Sequence, residues 1–230
     1  MTSGPLPGAS AVQAIAVALT QAPLDRDDPN DQGSVMSGFI RRIPEGDNRE
    51  RDVCVDCGHV AYENPKVVVG AVVVSGTAVL LCRRAIEPRS GFWTLPAGYM
   101  ELGETLEEGA AREAMEEAEA DIAIEGILGV FSIARIGQVQ VIFRAGFADT
   151  SNPHIGAGPE SLEVGLFEWD SIPWDRIAFP SVHWALHAWH DNASGTLGVP
   201  AGNPLNDRRG VHRMDPAPSP QNNDAGMRSR

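Results

Sequence analysis

A chain of 230 residues with 43% hydrophobic and 21% charged residues has room for one ordinary domain with tails, or two very small ones. Its formal net charge of −13 argues against a broad phosphate-binding surface, so no nucleic-acid partner is expected, although a metal ion can carry positive charge to a nucleotide. Three cysteines make no secreted disulfide scaffold, no apolar run spans a bilayer, and no basic residue precedes the apolar stretch SAVQAIAVAL, so a cytoplasmic protein with no membrane partner is expected.

Residues 1–35, rich in Gly, Pro, Ala, Asp and Asn, predict a disordered arm, and Met36 opens a more ordered segment that could itself be a start. KVVVGAVVVS (66–75) is β-branched and almost continuously apolar, the pattern of a strand buried on both faces. Gly76 gives a turn, and AVLLCRR (78–84) reads as the partner strand of a hairpin. EPRSGFWTLPAG is a loop with a short strand, broken by Pro88, Gly91 and Pro96, and its Phe92–Trp93 pair reads as packing. A helix follows. After Gly126 come ILGVFSIARI and QVQVIFRAGF, two strands meeting near Gly137, then LEVGLFEW (162–169) and a closing helix, PSVHWALHAWH (180–190). His183, His187 and His190 recur there at helical spacing, but Trp184 and Trp189 interleave, so a half-buried helix fits better than a metal face. Beyond Asp191 the apolar pattern stops, and residues 193–230 predict a disordered tail. Strands with one helix among them and one at the end predict a single α/β or α+β domain, over residues 64–192.

The middle helix is the informative element. Eight glutamates lie between Glu101 and Glu119, with Arg112 among them. Thr105 followed by Glu108 is a capping-box signature and predicts the helix start. Ala110, Ala114 and Ala118 share one side, with Ala111 and Met115 beside them, and small residues there let the helix lie close to a sheet. Glu113 and Glu117 are i and i+4 on a neighbouring face with Glu116 adjoining, while Arg112 and Glu119 project away from that pair. Taken alone, such a helix reads as a solvated acidic face. Like charges at this spacing repel, and a divalent cation reverses the sign by making them an oxygen-rich site.

The spacing from Gly98 through Glu104 and Arg112-Glu113 to Glu116-Glu117 resembles the Nudix box, G-x5-E-x7-R-E-U-x-E-E-x-G-U, where U is apolar. One position departs: the glycine expected near the helix end is Glu119, which puts the local turn geometry in question. The resemblance implies a Nudix-type α/β/α sandwich with a mixed sheet and a catalytic loop–helix–loop. It implies Mg²⁺ or Mn²⁺ held by Glu113, Glu116 and Glu117, with the carbonyl of Ala97 completing the set and Gly98 permitting that approach. Arg112 and Glu104 would form an ion pair orienting the glutamates. Some family members use a general base on a loop before a late strand; GAGPESLEV occupies a comparable place, making Glu160 the candidate and Glu163 the second.

Upstream, IPEGDNRERDVCVDCGHVAYENPK resembles the N-terminal module of Nudix enzymes related to FAD and NADH pyrophosphatases, in which two C-x2-C pairs make a zinc ribbon. Here only Cys54 and Cys57 are present, with His59 two residues on, so residues 36–63 read as a degenerate ribbon without zinc, unless zinc is shared across a homodimer. Cys82 reads as a core strand residue. The implied function is a metal-dependent pyrophosphohydrolase of a nucleoside diphosphate linked to another moiety, such as FAD, NADH or ADP-ribose. Arg83, Arg84 and Arg89 could meet its phosphates. A ligand sensor without catalysis is the alternative, and a homodimer is possible.

Overall fold

The computed structural model describes residues 38–192 and 195–207, and the chain divides into two compact units after Tyr62. The arm expected over residues 1–35, the start considered at Met36, and residues 193–194 and 208–230 of the expected tail lie outside the described residues.

The first unit is a small antiparallel sheet, β1 (Phe39–Arg42), β2 (Arg51–Cys54) and β3 (Val60–Ala61), in that order. Asp47 holds its first turn: one carboxylate oxygen accepts from the amides of Asn48 and Arg49, the other from Arg51 Nε at 3.0 Å. Gly58, at φ 74°, closes the second turn, where its N–H donates to the Cys54 carbonyl and the Cys54 N–H donates to that of His59. Cys54 is buried and Cys57 exposed.

The second unit is built on a seven-stranded mixed sheet. Its strands are β4 (Lys66–Ser75), β5 (Ala78–Arg84), β6 (Trp93–Thr94), β7 (Ala97–Tyr99), β8 (Ile122–Ile133), β9 (Gln138–Phe147) and β10 (Ser161–Glu168). The order is β10-β5-β4-β9-β8, with β6 on β5 and β7 on β4; β4 and β9 run parallel and the other pairs antiparallel. Strand alternation along β4 sends Val69, Ala71 and Val73 to one face and Val72 with Val74 to the other, so both faces must be covered. Helix α1 (Leu106–Ala118) covers the first with Ala110, Ala114 and Ala118, all fully buried. Helix α2 (Pro180–Asp191) covers the second with Trp184, Ala185, Leu186 and Trp189. The result is the α/β/α sandwich that the sequence implies. Each large side chain so buried stabilises by roughly 1.5–3 kcal/mol, and α1 gains its hold from close approach instead.

Several local features differ from expectation. β8 begins at Ile122, not after Gly126; the register shifts between Ile124 and Gly126 and again between Ile127 and Gly129, so the glycine bends a continuous strand. β10 ends at Glu168, and Trp169 opens a 3-10 turn. Met115 is half exposed and does not join the alanine side of α1.

Residues 195–207 are no free tail. The Val130 N–H donates to the Ala201 carbonyl at 2.8 Å and the Ala201 N–H to that of Leu128 at 2.9 Å. The Asn203 side chain bonds both the N–H and the carbonyl of Ser132, and Asp207 accepts from Trp184 Nε1 at 2.7 Å. A Gly/Pro-rich segment without periodicity is ordered here by the open edge of β8, which it covers. On α2, His190 stacks on Trp169 with ring centroids 3.7 Å apart, and His183 and His187 stack on Trp174. Those histidines are spent on packing, with Trp184 and Trp189 inside. Trp93 meets Phe167 edge-on at 4.8 Å.

Candidate active site

Helix α1 starts as its capping box dictates. The Glu108 N–H donates to Thr105 Oγ1 at 3.2 Å and the Thr105 N–H to the Glu108 carboxylate at 2.8 Å. One residue earlier, Glu104 accepts from the Glu101 amide and takes a two-point ion pair from Arg112, Nε at 3.0 Å and Nη2 at 2.9 Å. The Arg112 guanidinium does more than face Glu104. Its Nη1 donates to Glu113 at 2.8 Å and Glu116 at 3.0 Å, and its Nη2 also reaches the Tyr99 carbonyl at 3.0 Å. Arg112 therefore does not project away from the acidic pair, as helical projection alone implied; its long side chain curls back along the helix. Glu117 is fixed from the sheet side, accepting from the Ala97 N–H at 3.1 Å.

Gly98 has a definite steric duty. A Cβ at this position would overlap the carboxylate of Glu113. The glycine thus makes room for a side chain of α1, where the sequence reading gave it the role of admitting a metal to the backbone.

The electrostatics of the two inner carboxylates oppose their ionisation. Glu113 and Glu117 are 8% and 6% exposed. Burial pushes Glu117 up to about 7, with Glu113 and Glu160 adding to the rise against the Ala97 amide and Arg84. Burial raises Glu113 as well, and its Arg112 partner pulls the other way. Glu104 goes down to about 2, held chiefly by Arg112 and then by the Glu101 amide. Among the described residues no three His, Cys, Asp or Glu side chains converge as a ready-made metal cluster. Glu113 and Glu116 share Arg112, and Glu117 turns to the backbone. The donor set still suits a hard divalent cation: carboxylate oxygens, two of them buried, with more negative charge than Arg112 neutralises.

These groups open onto a cleft of about 990 Å³. Ala97, Gly98, Arg112, Glu113, Glu116, Glu117 and Glu160 all line it. Glu160 arrives through the loop after β9. The Gly156 N–H donates to the Ala118 carbonyl at 2.8 Å and the Gly158 N–H to that of Glu117 at 3.2 Å, so the loop caps the last turn of α1. Gly158 sits so close to the Glu116 carbonyl that no side chain fits. Glu163 is elsewhere, on β10 and paired with Arg83 at 3.1 Å. Of the three arginines singled out from sequence, Arg84 and Arg89 line the cleft and Arg83 does not.

Glu119 takes the place of the box glycine with φ 48° and ψ 30°, a left-handed conformation. Its N–H closes on the carbonyls of Ala114 and Met115, and its carboxylate meets His154 at 3.2 Å. The turn is therefore made without glycine.

Sequence reasoning missed a second group of cleft residues: Tyr99, Gln138 and Gln140, with Val68, Ile133, Ile136 and Ile142 around them. The signal was present in QVQV, where alternation places Gln138 and Gln140 on one face and Val139 and Val141 on the other.

Fold and site together define a phosphate-anhydride hydrolase of the loop–helix–loop kind. Residues 64–198 match the family model described as NUDIX domain, and residues 37–63 match the one described as Nudix N-terminal. The chain belongs to the NUDIX family and is a pyrophosphohydrolase within it, which leaves the sensor alternative without support. A crystal structure of a NUDIX hydrolase from Nitrosomonas europaea is 44% identical, covering 74% of this chain and 95% of that one with a TM-score of 0.66. An ADP-ribose pyrophosphatase of Methanocaldococcus jannaschii is 31% identical over 119 residues, 51% of this chain and 69% of that protein. A NAD-capped RNA hydrolase, NudC, of Haemophilus influenzae is 34% identical over 71 residues, 29% of this chain and only 27% of its own length. Among the described residues no helix is long and apolar enough to cross a membrane.

Proposed function

We propose that the cleft hydrolyses the pyrophosphate of a nucleoside diphosphate linked to another moiety, a dinucleotide-like molecule such as ADP-ribose, NADH or FAD, with Mg²⁺ or Mn²⁺. The observation that carries this reading is the pair of buried, charge-frustrated carboxylates Glu113 and Glu117, opening on a cleft large enough for such a molecule. Glu113, Glu116 and Glu117, with the Ala97 carbonyl, are the groups that would hold the cation. When bound, the cation supplies positive charge to the phosphate oxygens and acidifies the attacking water.

The chain's own residues do the rest. Arg112 keeps Glu104 as its firm partner and steadies Glu113 and Glu116 from the side. Gly98 leaves Glu113 its place. Arg84 and Arg89 offer guanidinium groups to phosphate oxygens in the same cleft that the α1 carboxylates line. Glu160, exposed and lining the same cleft, is our candidate for taking the proton from water.

The test is hydrolysis of ADP-ribose, NADH, FAD, coenzyme A, nucleoside triphosphates and NAD-capped RNA with Mg²⁺ or Mn²⁺. Cleavage at the pyrophosphate, lost in Glu117→Gln, is the expected result. Glu160→Gln should lower turnover by about 10²-fold or more with little change in metal affinity. Unchanged turnover in that variant removes Glu160 from the mechanism. Silence of the wild-type protein across the whole panel, with metal bound, removes this substrate class.

A further inference from the structure

The cleft has two chemically distinct ends, and β7 divides them. Gly98 faces the carboxylates of α1, while the next residue, Tyr99, faces the opposite side of the sheet and carries the start of a hydrogen-bonded chain. Gln138 Nε2 donates to the Tyr99 hydroxyl at 3.0 Å, and Gln140 Nε2 donates to Gln138 Oε1 at 3.2 Å. Sheet register explains the alignment. Val68 on β4 lies opposite Tyr99 on one side and Gln140 on the other, so the three side chains stand in one row.

Each amide in this chain spends a nitrogen on its neighbour, which leaves Gln140 Oε1 as the terminal acceptor of the chain among the described residues. The same cleft is lined by the aliphatic Val68, Ile133, Ile136 and Ile142, with the Arg135 side chain also on its wall. An acceptor among aliphatic side chains suits a flat heterocycle bearing an amino group, and Gln140 retains one N–H to meet a ring nitrogen beside that amino group. Adenine has that pair, an N6 amino group next to the N7 acceptor. Guanine presents two acceptors, N7 and O6, on the corresponding edge, and that edge leaves Gln140 Oε1 unpaired. The hydroxyl end of the chain is anchored to the reaction site, because the Tyr99 carbonyl accepts from Arg112 Nη2 at 3.0 Å.

We propose that Gln140, set by Gln138 and Tyr99, is the base-selecting residue of this cleft and that it reads adenine. The proposal rests on the pyrophosphohydrolase reading above and deepens it. A substrate with its pyrophosphate at the acidic end extends its adenosine along β7 toward Gln140. Selection is made by unpaired polar groups when the wrong base enters.

The experiment compares ADP-ribose with GDP- and UDP-linked sugars as substrates of the wild-type protein, Gln140→Leu and Tyr99→Phe, with Mg²⁺. AMP binding to the metal-free proteins is measured by calorimetry alongside. The wild type should favour the adenine substrate by about tenfold or more in kcat/KM. Gln140→Leu should erase that ratio through KM and weaken AMP by a similar factor, and Tyr99→Phe should do so in smaller measure. Melting curves of both variants establish that they fold, and Tyr99→Phe, which only removes a hydroxyl, serves if Gln140→Leu does not. Equal rates on all three substrates overturn the base selection and leave the hydrolase reading standing. No hydrolysis of any substrate, with AMP binding that still depends on Gln140, keeps the base site and sinks the hydrolase reading. An AMP affinity indifferent to both variants overturns the proposal outright.

Discussion

Gly98→Ala separates placement of a carboxylate from stability of the fold. The added methyl group meets first the carboxylate end of Glu113, which must move against its Arg112 partner at a cost of about 1–3 kcal/mol. Activity should fall by about 10- to 100-fold, because a carboxylate displaced by an ångström no longer serves. Full activity with an unchanged melting temperature would show that the position of Glu113 is not critical. Glu117 gives a pH signature. Its native value of about 7 lies above the ordinary 4.5, so the metal-free folded protein holds this proton longer than the unfolded chain does. The contribution is therefore fully present below about 4.5 and is lost as pH rises through about 7, on the order of 3 kcal/mol. Glu104 has the opposite sign: depressed to about 2, it stabilises above its ordinary value and stops doing so as pH falls toward 2. Thermal midpoints in EDTA should fall between pH 5 and 8, more steeply for the wild type than for Glu117→Gln. Identical slopes for the two proteins would refute the assignment.

At the scale of elements, the end of α1 is the place where a family habit and this chain disagree. Glu119 holds a left-handed conformation that glycine adopts freely, and its compensation is an exposed contact with His154. Glu119→Gly should stabilise by about 0.5–1 kcal/mol, read as a rise of a few degrees in the thermal midpoint. A fall would mean that the His154 pair outweighs the backbone cost. The elements themselves were largely legible in the sequence. A nearly continuous β-branched run marked β4, Gly76 and the apolar run after it marked β5, QVQVIFRAGF marked β9, and Thr105 with Glu108 marked the start of α1, because those signals are local. What escaped was set by distant partners. The bulge at Gly126 answers to register against β9, and the course of residues 195–207 answers to the open edge of β8, so neither is written in its own composition.

For the whole molecule, the same division governs the site. Glu104, Arg112, Glu113, Glu116 and Glu117 were readable as one group through their resemblance to the Nudix box, whose spacing a single loop and helix carry. Tyr99, Gln138 and Gln140 come together only through the pairing of β7, β4 and β9, which spacing along the chain does not express. The metal inventory is set at this scale too. Structural zinc takes four N or S ligands, and the first unit offers Cys54, Cys57 and His59 on a single turn. The Gly58 and Cys54 amides close that turn on the Cys54 and His59 carbonyls. Cys82 is no fourth ligand: it is buried in the second unit's core, where burial and then the nearby Glu117 raise its thiol far from thiolate formation. Metal analysis of extensively dialysed protein should therefore find zinc well below one per chain, while Mg²⁺ or Mn²⁺ titrates into the cleft and is lost from it in Glu117→Gln. About one zinc per chain would require donors from a second copy. Light scattering would then have to show a dimer that dissociates when Cys57→Ser removes the exposed ligand.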